Sequence, residues 1–345
     1  MIGLLGFAAL WGMARWFGWR KAVLALAAAL WWLVLIGAHL PWFGTPGLAA
    51  AFGGTFEAWL VFGVLSALIL VYAVGFSALK ARITPPPAPT PSGAFTPEEL
   101  SRYARHIMLR EIGGPGQRRL KDARVLVVGA GGLGSPALMY LAASGVGTLG
   151  VIDDDVVEAS NLQRQIIHTQ DRVGMPKVFS AEIALRALNP HVSVRPYHRL
   201  LSPEIGPDLI ADYDLVLDGT DNFDTRYLVN RLCVAAGRPL IAGAITQWEG
   251  QLSVWDPAQG APCYECVFPI RPAPGLVPSC AEAGVVSPLP GIIGTMMAAE
   301  AVKVITGAGE PLRGRLMIHD ALYAETRVIG VKRRADCPVC GGQPG

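Results

Sequence analysis

Charge is scarce in the first eighty of the 345 residues: histidine aside, only Arg15, Arg20, Lys21, Glu57 and Lys80 carry it. The whole chain is 52% hydrophobic and 16% charged, so this N-terminal stretch is too apolar to be the surface of a water-soluble domain. Clustered basic residues are missing as well. A formal net charge of +2 with scattered Lys and Arg lacks the positive face of a nucleic-acid binder, and no nucleic acid is expected as a partner. A cleaved signal peptide is also disfavoured. The early apolar run Ile2 to Trp11 has no basic residue before it, and no small-residue cleavage site leads from it into polar sequence. Cysteine is sparse, six in all, and four of the six form two Cys-x-x-Cys pairs, which favours metal in a reducing compartment over disulfides.

What the N-terminal region does have is length without charge. Ala22 to Leu40 is an uncharged apolar run of nineteen residues and Ala58 to Leu79 one of twenty-two. At 1.5 Å per residue each reaches about 30 Å, enough to cross hydrocarbon, and neither shows the polar stripe of a globular helix. Arg15, Arg20 and Lys21 precede the first span, Lys80 and Arg82 follow the second, and the connecting stretch Pro41 to Glu57 has no Lys or Arg. The positive-inside rule then puts both ends in the cytoplasm. The expectation is a multi-pass inner-membrane anchor over residues 1–82 (spans 22–40 and 58–79), with the rest of the chain facing the cytoplasm. Met1 to Met13, flanked by Trp11, Trp16 and Trp19, reads either as an interfacial segment or as a third span.

Residues 83–95 are expected to be a linker, since five prolines between Pro85 and Pro91 favour an extended polyproline spacer. A domain over 96–345 follows. It opens with Thr96-Pro97-Glu98-Glu99, the form of a capping box, which predicts a helix to about Leu109 with Leu100, Tyr103 and Ile107 on its inner face.

Val125 to Val128 reads as a short strand leading into Gly129-Ala-Gly131-Gly132-Leu-Gly134 and then an apolar helix. This is the strand, glycine turn and helix of a Rossmann-like α/β fold with a mostly parallel sheet, in which backbone amides approach phosphate. A second strand, Leu149 to Ile152, ends in Asp153, Asp154 and Asp155, where a carboxylate can accept hydrogen bonds from ribose hydroxyls. Taken alone, that pattern points first to NAD or FAD. Asn161-Leu-Gln-Arg164-Gln and Gly174-Met-Pro-Lys177 follow, and put two cations downstream of the phosphate turn that hydride transfer does not need. Asp154 and Glu158 read as ordinary polar loop positions.

From about Arg102 to Gly342 the chain resembles the ThiF, MoeB and HesA family, bacterial relatives of ubiquitin-activating enzymes, and is most similar to its molybdopterin-synthase adenylyltransferases. The resemblance runs through RYARHIML, GAGGLG, DDDVVEASNLQRQ, VGMPK, LVLDGTDN, CYEC, SCAEAGV and CPVC, in order. It implies ATP-dependent adenylation of the terminal glycine carboxylate of a ubiquitin-like sulfur carrier ending in Gly-Gly, in molybdenum cofactor biosynthesis. A thiamine-pathway carrier, or a non-catalytic docking module, is the alternative. The resemblance further implies that Gly131 and Gly132 lie against the phosphates, Asp153 holds the ribose, and Asn161, Arg164 and Lys177 bind the triphosphate. Asp221 would ligate Mg2+, and Arg105 would reach the nucleotide of a partner copy, so that the active form is a homodimer. Cys280 matches a position where some relatives carry a cysteine that bonds covalently to the carrier or its sulfur; a plain loop thiol is the equal alternative. With no rhodanese-like segment after Gly345, the sulfur donor is expected to be a separate protein.

Cys263-Tyr-Glu-Cys266 and Cys337-Pro-Val-Cys340 together suit a closed tetrahedral Zn2+ site of structural type. Cys233, in an apolar helical stretch, reads as a core residue.

Overall fold

The computed structural model describes residues 2–17, 21–40, 46–83, 95–272 and 283–342. Pro85 to Pro91 of the expected linker, and Cys280, lie outside them. The chain divides into two units, Met1–Pro86 and Pro87–Gly345.

Among the described residues the first unit consists of helices α1 (Ile2–Phe17), α2 (Lys21–Ala38), α3 (Pro46–Phe52) and α4 (Phe56–Ile83). The stretch expected to be a plain connection contains α3. Indole N–H groups donate to main-chain carbonyls and tie the unit together: Trp31 to Gly3 (2.9 Å), Trp32 to Trp59 (2.7 Å) and Trp59 to Gly53 (2.8 Å). Helix α4 has 28 residues, and the side chains of Leu65, Leu68, Ile69, Leu70, Val71 and Tyr72 are each more than half exposed. Over Phe56–Ala73 the mean hydropathy is 2.0 with only 6% of the window buried.

The second unit starts at α5 (Pro97–Ile107), closed by the expected capping box: the Glu99 N–H donates to Thr96 Oγ1 (3.2 Å) and the Thr96 N–H to Glu99 Oε2 (2.8 Å). Its inner face differs from the expectation. Tyr103 is buried, but Leu100 is 47% exposed, because Glu99, held by Lys121 Nζ at 2.8 Å, turns inward instead. Helix α6 (Gly113–Asp122) follows, then an α/β sandwich built on one eight-stranded sheet of order β3-β2-β1-β4-β5-β6-β7-β8. The strands are β1 (Arg124–Val128), β2 (Thr148–Ile152), β3 (Ser193–Tyr197), β4 (Leu215–Asp218), β5 (Leu240–Thr246), β6 (Glu249–Trp255), β7 (Arg315–Asp320) and β8 (Glu325–Gly330). The five strands from β3 to β5 pair in parallel, and β6 to β8 extend the sheet antiparallel.

Both faces of the parallel half are covered, as the near-continuous apolar strands require. Val125 and Val127 pack on one side with α7 (Gly134–Ala143), α8 (Lys177–Leu188) and α12 (Pro288–Thr306). Leu126 and Val128 pack on the other with α9 (Gly206–Ala211) and α10 (Phe223–Ala236), where Cys233 is buried as a core residue. A four-residue helix, α11 (Tyr264–Val267), contains Cys266 and has Cys263 at its N-cap. Helix α12 is long and apolar, but half of it is buried, and Ile293, Met297 and Ala301 are fully enclosed in the core.

Candidate functional site

The strand order reverses between β1 and β4, and in open parallel sheets the crevice beyond the carboxyl ends at such a point is where ligands bind. Two turns leave the sheet there and touch. The Gly129 N–H donates to Ile152 O (2.9 Å) and the Gly219 N–H to Val128 O (2.9 Å). Gly129 has φ +92°, and a Cβ on it would lie 3.3 Å from Gly219 and Thr220. A Cβ on Gly134 would fall 1.9 Å from Gly129 O, so only glycine lets α7 begin this close to the turn. The amino end of α7, with no acidic residue in its first turn, faces the same crevice.

Asp153, just past β2, holds the glycine turn from the side. Its Oδ2 accepts from the Ala130 N–H (2.7 Å) and its Oδ1 from the Asp155 N–H (2.9 Å). Burial pushes the Asp153 carboxyl pKa up, against the pull of the Lys177 ammonium and these two amides. Asn161 and Arg164 sit on the following loop, where Arg164 Nη2 donates to Asn161 Oδ1 (3.0 Å) and the Arg164 stem passes over Gly132. Lys177 opens α8. It is buried to 5% exposure, and its Nζ is paired with Asp155 Oδ2 at 2.7 Å. The bridge between Val156 and Pro176 brings these two partners together.

Gly129, Gly131, Gly132, Asp153, Asn161, Arg164 and Lys177 therefore gather at one edge of the sheet. Asp221 is exposed on the turn after β4. That turn is anchored by Asp218, which accepts from the Thr220 N–H (2.9 Å) and Oγ1 (2.6 Å), and by Arg226 Nη2, which donates to Thr220 O (2.7 Å). Arg105 is not brought in. It is exposed on α5, whose Tyr103 packs on Gly145 and accepts from Asn189 Nδ2 (2.8 Å), just before β2 and β3 and thus at the opposite, amino edge of the sheet. Asp154 is exposed, and its carbonyl accepts from His198.

Two participants escaped the sequence reading. Asp155 stood there only as one of three adjacent aspartates. His168 lies one turn beyond the quoted Asn161–Gln165 motif, and its sole signal was a polar ring in an otherwise apolar stretch, Ile166-Ile167-His168.

The four cysteines Cys263, Cys266, Cys337 and Cys340 converge, all buried, with their sulfurs within 4.8 Å of one another. The Sγ–Sγ distances are 3.8 Å (263–266), 3.6 Å (263–337) and 3.4 Å (266–340), far from the roughly 2.05 Å of a disulfide. Four thiolates about 2.3 Å from a common tetrahedral centre stand about 3.8 Å apart, so the cluster fits zinc. The Arg334 N–H also donates to Cys266 Sγ (3.4 Å), the usual way a backbone amide steadies a ligating sulfur. Tyr264, next to Cys263, packs edge-on against Trp255 with ring centroids 5.8 Å apart.

A family model described as the ThiF family matches residues 103–339. The chain belongs to the ThiF family. It is 51% identical over 254 residues to the sulfur carrier protein adenylyltransferase of Thermus thermophilus, covering 72% of this chain and 94% of that one. It is 49% identical over 256 residues to a probable adenylyltransferase/sulfurtransferase, MoeZ, of Mycobacterium tuberculosis, covering 73% of this chain and 65% of that longer protein. Among solved structures, Escherichia coli MccB superposes with a TM-score of 0.62 at 24% identity, over 70% of this chain and 75% of that one, a likeness of fold. The match to this ThiF-family model starts after α4, so the apolar helices precede it.

Proposed function

We propose that this chain adenylates the C-terminal glycine carboxylate of a ubiquitin-like sulfur-carrier protein, the small subunit of molybdopterin synthase, with ATP as donor and pyrophosphate as product. The observation that carries the reading is the gathering of a glycine turn, a helix amino end, Arg164 and Lys177 at the switch point of a ThiF-family sheet.

A terminal carboxylate has a pKa near 3.5 and is ionised at neutral pH, so it attacks the α-phosphorus without a general base. Repulsion between the carboxylate and the triphosphate is the obstacle. Backbone amides of Gly131 and Gly132 and the cations of Arg164 and Lys177 offset that charge, and Asn161 steers the Arg164 fork. Asp153 keeps a second lone pair on each oxygen for ribose hydroxyls while bracing the turn. Asp221, an exposed hard-oxygen ligand beside the glycine turn, suits Mg2+, which would neutralise the leaving pyrophosphate. Arg105 acts in trans on a partner copy, making the active form a homodimer. Sulfur reaches the acyl-adenylate from a separate donor.

Helices α2 and α4 form a hairpin in the inner membrane with the catalytic unit in the cytoplasm. The support is the apolar surface that α4 leaves uncovered, together with a connection free of Lys and Arg. Helix α1, 16 residues or about 24 Å long, is either an interfacial segment or a third span.

The test is ATP–pyrophosphate exchange by the purified full chain with a molybdopterin-pathway carrier and, separately, a thiamine-pathway carrier. Exchange with the first alone is expected. Exchange with the second alone would transfer the enzyme to thiamine synthesis, and none with either despite ATP binding would leave a docking module.

A further inference from the structure

His168 has no counterpart among the residues assigned above, yet it is 5% exposed and both of its ring nitrogens are engaged. Nε2 lies 2.9 Å from Ala130 O, and Nδ1 lies 2.9 Å from Ser180 Oγ. A carbonyl only accepts, so Nε2 carries the proton; Nδ1 is then bare and accepts from the Ser180 hydroxyl. Burial, with the nearby cations of Lys177 and Arg172, lowers the ring's pKa and favours this neutral form.

The position of the accepted bond matters. Ala130 C=O and Gly131 N–H belong to one trans peptide and point in opposite directions. Fixing the carbonyl toward His168 aims the Gly131 N–H the other way, out of the protein wall. The preceding peptide is fixed by Asp153, which takes the Ala130 N–H. Ser180 in turn stands one turn into α8, the helix that begins with Lys177, and the Ser180 carbonyl accepts from Arg172 Nη1 (3.0 Å).

We infer that His168 is a positioning residue for nucleotide: through Ala130 it aims the Gly131 amide at the phosphates, and through Ser180 it holds that amide in register with Lys177. The inference rests on the nucleotide reading proposed above.

It is tested on the purified full chain by calorimetric titration with a non-hydrolysable ATP analogue and Mg2+, and by exchange kinetics in which ATP and carrier are varied separately. His168→Leu, which keeps bulk but donates nothing, is expected to weaken analogue binding and raise the KM for ATP by about tenfold or more, with the KM for carrier within about twofold. His168→Gln, which restores a donor near Nε2, is expected to recover most of that loss. Ser180→Ala is expected to raise the ATP KM about threefold in the wild type and to add nothing to His168→Gln, since the two act in series.

A purely structural histidine would lower thermal stability and leave the KM for ATP unmoved in the folded fraction. An ATP KM within twofold of wild type for His168→Leu overturns the inference, and so does a His168→Gln variant as impaired as the leucine. If the leucine variant does not fold, an unchanged ATP KM in Ser180→Ala overturns it. Failure of the wild type itself to bind the analogue would instead sink the nucleotide reading.

Discussion

Replacing Cys340 by serine removes one ligand from a cluster whose sulfurs stand at tetrahedral spacing. Cys340 is fully buried and 3.4 Å from Cys266, so the serine oxygen inherits a site shaped for sulfur. The centre joins Cys266 to Cys337 and closes a loop of 72 residues (337 − 266 + 1). Treated as a cross-link, such a loop restricts the unfolded chain by about 15 cal/mol/K, or about 4 kcal/mol at 25 °C. A unit of roughly 260 residues unfolds with about 0.55 kcal/mol/K of entropy, so the midpoint should fall by about 8 °C. Scanning calorimetry of wild type and Cys340→Ser, with zinc counted by elemental mass spectrometry, makes the comparison. Wild type is expected to carry about one zinc per chain and the variant almost none. Exchange activity at 20 °C should stay within about threefold, because a closed four-sulfur site leaves no position for substrate. A wild-type protein without zinc, or a zinc-free variant with an unchanged midpoint, would refute the reasoning.

Lys177→Ala should lower kcat/KM for ATP by about two to three orders of magnitude, whereas Asp155→Asn, which removes only the partner of the ammonium, should stay within about tenfold; steady-state exchange separates them, and equal losses would mean that Asp155 handles substrate itself. The depressed pKa of His168 makes a sign prediction. The unfolded ring titrates near 6.5 and the folded ring lower, so its stabilisation is complete above 6.5 and drains away as pH falls toward the folded value. Thermal midpoints between pH 7.5 and 5 should thus fall less steeply in His168→Gln than in wild type; Lys177 and Arg172 are the cations that face the ring. Deleting residues 1–92 should abolish partition into the membrane fraction while leaving exchange kinetics unchanged, and loss of activity in that truncation would show that the anchor is more than a tether.

Much of the catalytic unit was legible because local chemistry announced it. Thr96 and Glu99 satisfy one another within a single turn, and Gly129 to Gly134 report a backbone approach that no other residue allows. Cys263, Cys266, Cys337 and Cys340 carry their own pairing logic over seventy residues. What stayed hidden depends on partners distant in sequence. Lys177 read as a cation for the phosphates, and its partner came to light only where the Val156–Pro176 bridge puts Asp155 against it. Leu100 had the right spacing for an inner face, but the buried Glu99–Lys121 pair rotated α5 away from it. His168 carried no motif, since its importance lies in a carbonyl 38 residues upstream. The antiparallel strands β6 to β8 were not foreseen at all: β8 is exposed along its whole length, so no apolar alternation marked it.

The chain holds nine tryptophans, seven of them before Leu60. Ultraviolet emission from the full-length protein therefore reports mainly the apolar unit and is nearly blind to the catalytic one. A chain cut back to Pro87–Gly345 keeps Trp248, 43% exposed, and Trp255, 2% exposed and packed edge-on against the tyrosine beside Cys263. One indole is wet and the other dry, and the blue component belongs to the one that packs against Tyr264, the residue next to Cys263. Such a fragment would carry a built-in optical gauge of whether its C-terminal knot is tied.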